Sequence, residues 1–136
     1  MTDAVTACIL IIGNEILSGR TQDVNVSHLA KTLGGWGIHV RHCRVIPDVE
    51  DIIIETVNEV RPAYDYVFTT GGIGPTHDDI TTESVAAAFN VKVERNLEAM
   101  RRLEQHYKGT EIVLNEVRKK MADIPVGATL IDNPVS

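Results

Sequence analysis

The feature that most constrains this chain is the apolar run Thr6–Ile12, which stops at Gly13. A strand that does not alternate with polar residues has both faces covered. Sheets covered on both faces are parallel ones, with helical crossovers packed on either side. The remainder of the sequence supplies those crossovers. From Asn25 to Leu33, the residues Val26, Leu29, Ala30 and Leu33 recur at helical spacing, with Asn25 as N-cap and Gly34, Gly35 and Gly37 as the stop. Ile38–Ile46 reads as a second strand, closed by Pro47-Asp48. Val49, Ile52, Ile53, Thr56, Val57 and Val60 form the next helical stripe, for which Asp48 is the natural N-cap.

Tyr66–Thr70 is short, β-branched and reads as a third strand, and a glycine-rich segment follows it. Thr81-Thr82-Glu83 opens a helix that runs through Phe89. A short strand at Val91–Val93 is followed by a helix from the cap Asn96 to about Tyr107, broken at Lys108-Gly109. A last short helix over Leu114–Met121 and a last strand over Ala128–Ile131 complete the pattern. Strands and helices that alternate in this way predict an α/β fold with a mostly parallel sheet and right-handed crossovers. No repeat or linker divides residues 1–136, so a single domain is expected. The sequence ends at Asp132–Ser136, directly after an expected strand, so the domain is expected to be truncated at its C-terminal end.

Composition narrows the partners. A chain of 136 residues that is 43% apolar and 24% charged can bury one real core. Its formal net charge of −6 argues against nucleic acid as a partner, because phosphate-backbone binders are normally basic. The stretch Ala7–Ile12 is too short to span a bilayer, and Met1–Ala4 lacks the basic start of a signal peptide, so no membrane partner and a cytoplasmic location are expected. Cys8 and Cys43 both fall on expected buried strands and read as free thiols used as small apolar residues. Neither belongs to a zinc-spaced cluster.

In open parallel sheets, ligands bind beyond the carboxyl ends of the strands. Three such ends are polar here: Gly13-Asn14-Glu15 on through Arg20, Asp23 and Asn25; Pro47-Asp48; and Thr69 through Asp79. In the third, Gly71, Gly72 and Gly74 let the backbone adopt positive φ and let a ligand approach bare amides, while Thr69, Thr70 and Thr76 add hydroxyls. With the helix start near Thr81, this makes an anion site; the bland reading is a tight strand-to-helix turn. Neighbouring residues diverge, so only one of Asp78 and Asp79 should face the pocket. Asp79 and Asp48 can converge from separate strand ends, and next to phosphates they would need a hard cation such as Mg²⁺ between them. Glu15 and Asp23 are weaker candidates of the same kind. Arg20 can clamp a phosphate or stay solvated, and His77 can bond a ligand or poise a water. Trp36 reads as a packing residue.

The segment Thr69-Thr70-Gly71-Gly72-Ile73-Gly74-Pro75-Thr76-His77-Asp78-Asp79-Ile80-Thr81 resembles the signature of the MoaB/MogA-like molybdopterin-binding domain superfamily. Its Gly-Pro-Thr-x-Asp-Asp form is similar to the branch that contains the N-terminal domain of competence/damage-inducible protein A (CinA), and to the molybdopterin-binding-like domain of FAD synthase. Gly13–Arg20 with Asp23 and Asn25, and Pro47-Asp48, match that branch's first and second loops. The resemblance implies a three-layer α/β/α sandwich, usually homo-oligomeric. It also implies a small-molecule nucleotide or pterin phosphate as ligand and a divalent metal as cofactor. The metal would be held by Asp79 and Asp48, with Asp78 or Glu15. Thr70, Gly71, Gly72, Gly74 and Thr76 would cradle phosphates, with Asn25 or Arg20 on the nucleotide. The activity it implies is metal-dependent hydrolysis of a nucleotide pyrophosphate of the ADP-ribose or FAD class, with Asp79 and Asp48 catalytic. The alternatives are molybdopterin adenylylation and a non-catalytic binding module. Asp-Asp at positions 78 and 79 favours the hydrolase-like branch, because the adenylyltransferase pattern commonly has a basic residue where Asp78 stands. The family's loop that continues past Asn133-Pro134 lies beyond this sequence.

Overall fold

The computed structural model describes residues 4–131. Strand β1 (Val5–Ile12) is the centre of a three-stranded parallel sheet, flanked by β2 (Ile38–Ile46) and β3 (Tyr66–Thr70) in the order β2-β1-β3. The central place explains its composition: Ala7 through Ile12 are buried without a break, on both faces. Helices follow in chain order: α1 (Asn14–Leu17), α2 (Asn25–Gly35), α3 (Glu50–Val60), α4 (Thr81–Ala88), α5 (Leu97–Tyr107) and α6 (Glu116–Lys119). A 3₁₀ turn at Lys120–Ala122 leads into β5 (Asp123–Pro125), which pairs antiparallel with β4 (Val93–Arg95) as a separate two-stranded sheet.

The even face of β1 carries Cys8, Leu10 and Ile12, which pack with Ile46, with Ile53, Val57 and Val60 of α3, and with Ala88 of α4. Each fully buried Leu or Ile contributes about 1.5–3 kcal/mol relative to exposure. Ala7, Ile9 and Ile11 on the odd face are buried as well. β1 crosses through α2 to β2 on one side, and β2 crosses back through α3 to β3 on the other. Right-handed crossovers in opposite directions place α2 and α3 on opposite faces of the sheet. This is the α/β/α layering expected of the sequence. Burial raises the Cys8 thiol pKa above its ordinary value, so it serves as a small apolar residue.

The register sets the site. Ile12 stands opposite Ile46, and Ile11 opposite Thr70, so Gly13, Pro47 and Gly71 leave the sheet on one edge within about one residue of the same level. Because the sheet order is β2-β1-β3, the β1/β3 crevice is the point where the winding reverses, the usual ligand position in such sheets.

Several local expectations are corrected. Asp48 does not cap α3. The cap position is Val49, and the Asp48 carboxylate turns to the first loop, where it accepts a hydrogen bond from the Asn14 amide at 3.2 Å. Asn25 is the first helical residue of α2 and not its cap; Asp23 accepts from the amides of Asn25 and Val26. Cys43 is exposed, because β2 is an edge strand whose His39, Arg41, Cys43 and Val45 all face solvent. Trp36 is 73% exposed and packs into no core. The last strand is Asp123–Pro125 and not Ala128–Ile131, because the partner β4 meets the chain there, with Asp123 opposite Arg95 and ion-paired to it at 3.0 Å. Among the described residues no helix is long and apolar enough to cross a membrane. The expected truncation at Asp132–Ser136 falls outside the described residues.

Candidate functional site at the sheet's carboxyl edge

The first two loops are locked to each other. Asn14 donates its amide to Asp48 Oδ2 at 3.2 Å, and Asp48 returns its own amide to Asn14 Oδ1 at 3.1 Å. Gly13 extends β1 by one more bond, donating to the Ile46 carbonyl at 3.0 Å. This reciprocal clasp holds Asp48 at the mouth of the β1/β3 crevice, although 34 residues separate the two partners.

The third loop is shaped by close approach. Gly71 and Gly72 have φ of 91° and 68°, a region in which side chains are strained. A Cβ on Gly71 would overlap the Ile12 carbonyl, and one on Gly72 would overlap the Thr81 hydroxyl and lie 3.4 Å from Asp48 Oδ1. Thr81 ties the loop down from the helix side: its hydroxyl donates to the Gly71 carbonyl at 2.8 Å and its amide to the Gly72 carbonyl at 3.0 Å. One amide of the α4 N-terminus is therefore spent on the loop and is not offered to a ligand. Among the described residues, the amides of Gly72, Ile73 and Gly74 donate to no protein acceptor. Successive amides left open in a glycine-rich turn form an anion-binding concavity.

Asp79 lies against the same loop. Its Oδ2 is 2.7 Å from where a Gly74 Cβ would stand, and it accepts from the Thr76 amide at 3.0 Å and the Thr76 hydroxyl at 2.8 Å. Asp48 thus approaches the loop at Gly72 and Asp79 approaches it at Gly74. Asp78 turns outward, 83% exposed at its side chain and 3.3 Å from His77 Nε2, so of the two neighbouring aspartates only Asp79 faces the loop. Glu15 folds back over Gly13. Arg20 donates its Nε to Ser18 within its own exposed loop, and among the described residues no hydrogen bond joins Arg20 or Asn25 to the glycine segment. Thr70, half-buried, ends β3 immediately before the glycine loop.

Among the described residues no group of three or more His, Cys, Asp or Glu is arranged to hold a metal. The four acids Asp48, Asp78, Asp79 and Glu15 therefore do not form a closed cage. Two carboxylates beside a loop of open amides are a partial donor set of the kind that suits Mg²⁺, which keeps several waters and can take its other ligands from a bound phosphate.

Sequence reasoning missed three groups. Asn14 was legible only as a loop residue. Thr81 read as a helix start, and its grip on Gly71 had no local signal. Lys120, 41 residues beyond Asp79, donates to the carbonyls of both Thr76 and Asp79.

Comparison with known proteins defines the class. Residues 8–131 match the family described as "Probable molybdopterin binding domain". The chain is 32% identical to the crystal structure of a CinA protein of unknown function from Thermoplasma acidophilum, with a TM-score of 0.87, covering 99% of this chain and 79% of that one. The chain belongs to the molybdopterin-binding domain family, in its CinA-like branch. It is also 37% identical to a CinA-like protein from Sulfurihydrogenibium, over 95% of this chain and 32% of that protein. A protein from Pyrobaculum calidifontis is 40% identical over 96% of this chain and 50% of its own length. The chain thus spans about half the length, or less, of the curated relatives it matches. Molybdopterin biosynthesis enzyme MoaB from Thermus thermophilus shares the fold, with a TM-score of 0.59 at 18% identity over 85% of this chain and 71% of that one.

Proposed function

We propose that this domain binds a nucleotide or pterin phosphate at the β1/β3 crevice and cleaves a phosphoric anhydride there by metal-dependent hydrolysis, with substrates of the ADP-ribose or FAD class. The observation that carries the reading is the row of open amides at Gly72, Ile73 and Gly74, with Asp48 and Asp79 set against the loop at either end of that row. The amides neutralise phosphate oxygens without a counter-charge of their own, and Thr70 adds a hydroxyl at the end of β3. Asp48 and Asp79 would hold the cation, which would offset charge on the anhydride as the bridging bond breaks. Water adds to one phosphorus, the P–O bond to the bridging oxygen breaks, and the water's proton leaves with the products. Asp48 is held for this by Asn14, and Asp79 by Thr76.

Asp79→Asn separates charge from structure. An asparagine oxygen can still accept from Thr76, so the turn persists while the carboxylate is lost. The test is AMP release from ADP-ribose, FAD and ATP with Mg²⁺, Mn²⁺ or Co²⁺. The variant should be slower by roughly 100-fold or more, the order seen when one electrostatic stabiliser is removed. An undiminished metal-dependent rate would sink the role assigned to Asp79.

A second reading rests on the description of the matched family and uses the same pocket: the nucleophile is a molybdopterin phosphate and the product is adenylylated molybdopterin. Formation of that product from ATP without AMP release would select it. Tight nucleotide binding without turnover at any metal concentration would select a binding module. A homo-oligomer is part of the proposal and is read by light scattering.

A further inference from the structure

The Thr76–Asp79 turn carries Asp79, and it is closed by three bonds of its own: Asp79 N–H to the Thr76 carbonyl at 3.2 Å, and the Thr76 amide and hydroxyl to Asp79 Oδ2. That arrangement leaves the carbonyls of Thr76 and Asp79 facing the ammonium of Lys120, which donates to them at 2.7 and 2.5 Å. Glu83 of α4 is the acid facing the same ammonium, 3.7 Å away, and its other oxygen is buried among the described residues without a partner. Lys120 reaches this spot from the far end of the chain. The 3₁₀ turn that bears it is anchored by Asn96 N–H to the Ala122 carbonyl at 2.8 Å, by buried Ala122, and by the Arg95–Asp123 pair. Gly72, Gly74, Asp79, Glu83, Lys120 and Asp123 line a common cavity of about 140 Å³ under the loop.

An ammonium has three donors and no acceptor, so it suits a position surrounded by carbonyls and a carboxylate. Its anchors lie on the β4/β5 pair and the residues next to it, while its two short bonds go only to the turn. We propose that Lys120 is a positioning residue: it locks the Thr76–Asp79 turn and so fixes the Asp79 carboxylate beneath Gly74. Its catalytic consequence rests on the anhydride-cleaving reading above; its structural consequence does not.

The test is Lys120→Met, which keeps the aliphatic stem and removes the donors. Two readouts are taken: amide hydrogen exchange at Thr76 and Leu10, and steady-state kinetics on the substrate cleaved by the wild type. Thr76 should exchange about tenfold faster or more, as expected for losing charge-assisted bonds, with Leu10 unchanged. The kcat should fall by about tenfold with KM moved far less, the mark of a misplaced catalytic group. Unchanged exchange at Thr76 would overturn the proposal, and so would equal acceleration at Thr76 and Leu10, which would mean loss of global stability. If the wild type cleaves no anhydride but Thr76 still loosens selectively, the positioning role stands and the hydrolase reading falls. Should Lys120→Met not fold, Lys120→Gln, which retains an amide donor, is measured in the same way.

Discussion

From β1 to α4 the protein is held by apolar burial. Every residue of the main core cluster lies between Cys8 and Ala88, and Leu10, Ile12, Ile53 and Val60 are almost wholly excluded from solvent. From β4 to β5 the chain is held in another way. Helices α5 and α6 bury no residue, Leu97 is 85% exposed, and the two strands are each three residues long. This half relies on caps and ion pairs: Asn96 on Ala99, Asn115 on Arg118, Arg95 with Asp123 and Glu116, Glu98 with Arg101 and Arg102. The difference separates two tasks. The packed half brings three strand ends to one edge, and the lightly packed half delivers Lys120 across to the third loop. Surface ion pairs are individually weak, so the second half should open first.

The contrast can be broken by mutation. Leu10→Ala should cost about 2–5 kcal/mol of global stability, measured by denaturant unfolding, because its cavity lies in the middle of the central strand. A cost near zero would mean that β1 is not the core. Asn96→Ala should cost about 1 kcal/mol, the usual worth of a cap, with exchange rising in α5 and not in β1. Acceleration in β1 by the same factor would mean that the two halves unfold as one.

The smallest effect is that of pH on α5. Hydrogen bonds from Arg101 and Arg102 hold Glu98 at about 2, below its ordinary carboxylate value. A depressed folded pKa contributes stability that is complete above the unfolded value and is lost as pH falls through the folded one. Acidification from above pH 4.5 to about 2 should therefore loosen α5 locally, and Glu98→Gln should remove that component. Since Glu98 is exposed to solvent, the change should appear in helix exchange rates while the global unfolding midpoint barely moves.

The two halves also differ in how legible they were. In the packed half the periodicities are strong, and β1, β2, β3, α3 and α4 follow the expected spans within a residue or so. The glycine loop was recognisable because Gly71 and Gly72 adopt the positive φ that only glycine takes without strain; Gly74, expected to share it, does not, and is needed instead for the close approach of Asp79. Beyond Ala88 helix α5 also follows its expected span from the cap Asn96 to Tyr107, but the strands do not. Ala128–Ile131 is as apolar as a strand needs to be, but apolarity does not name a partner, and β4 pairs with Asp123–Pro125 instead.

Sequence alone determined the parallel sheet, the common edge on which its three loops emerge, and the glycine positions. Those features follow from backbone sterics and from burial patterns repeated over a few residues. Only the tertiary structure decided that Asp48 serves Asn14 and not the helix after it, that Asp79 and not Asp78 turns to the loop, and that Lys120 reaches the Thr76–Asp79 turn. Each of these is a choice among several available partners. Short polar side chains satisfy a local cap and a distant loop about equally well, so the folded geometry makes the selection.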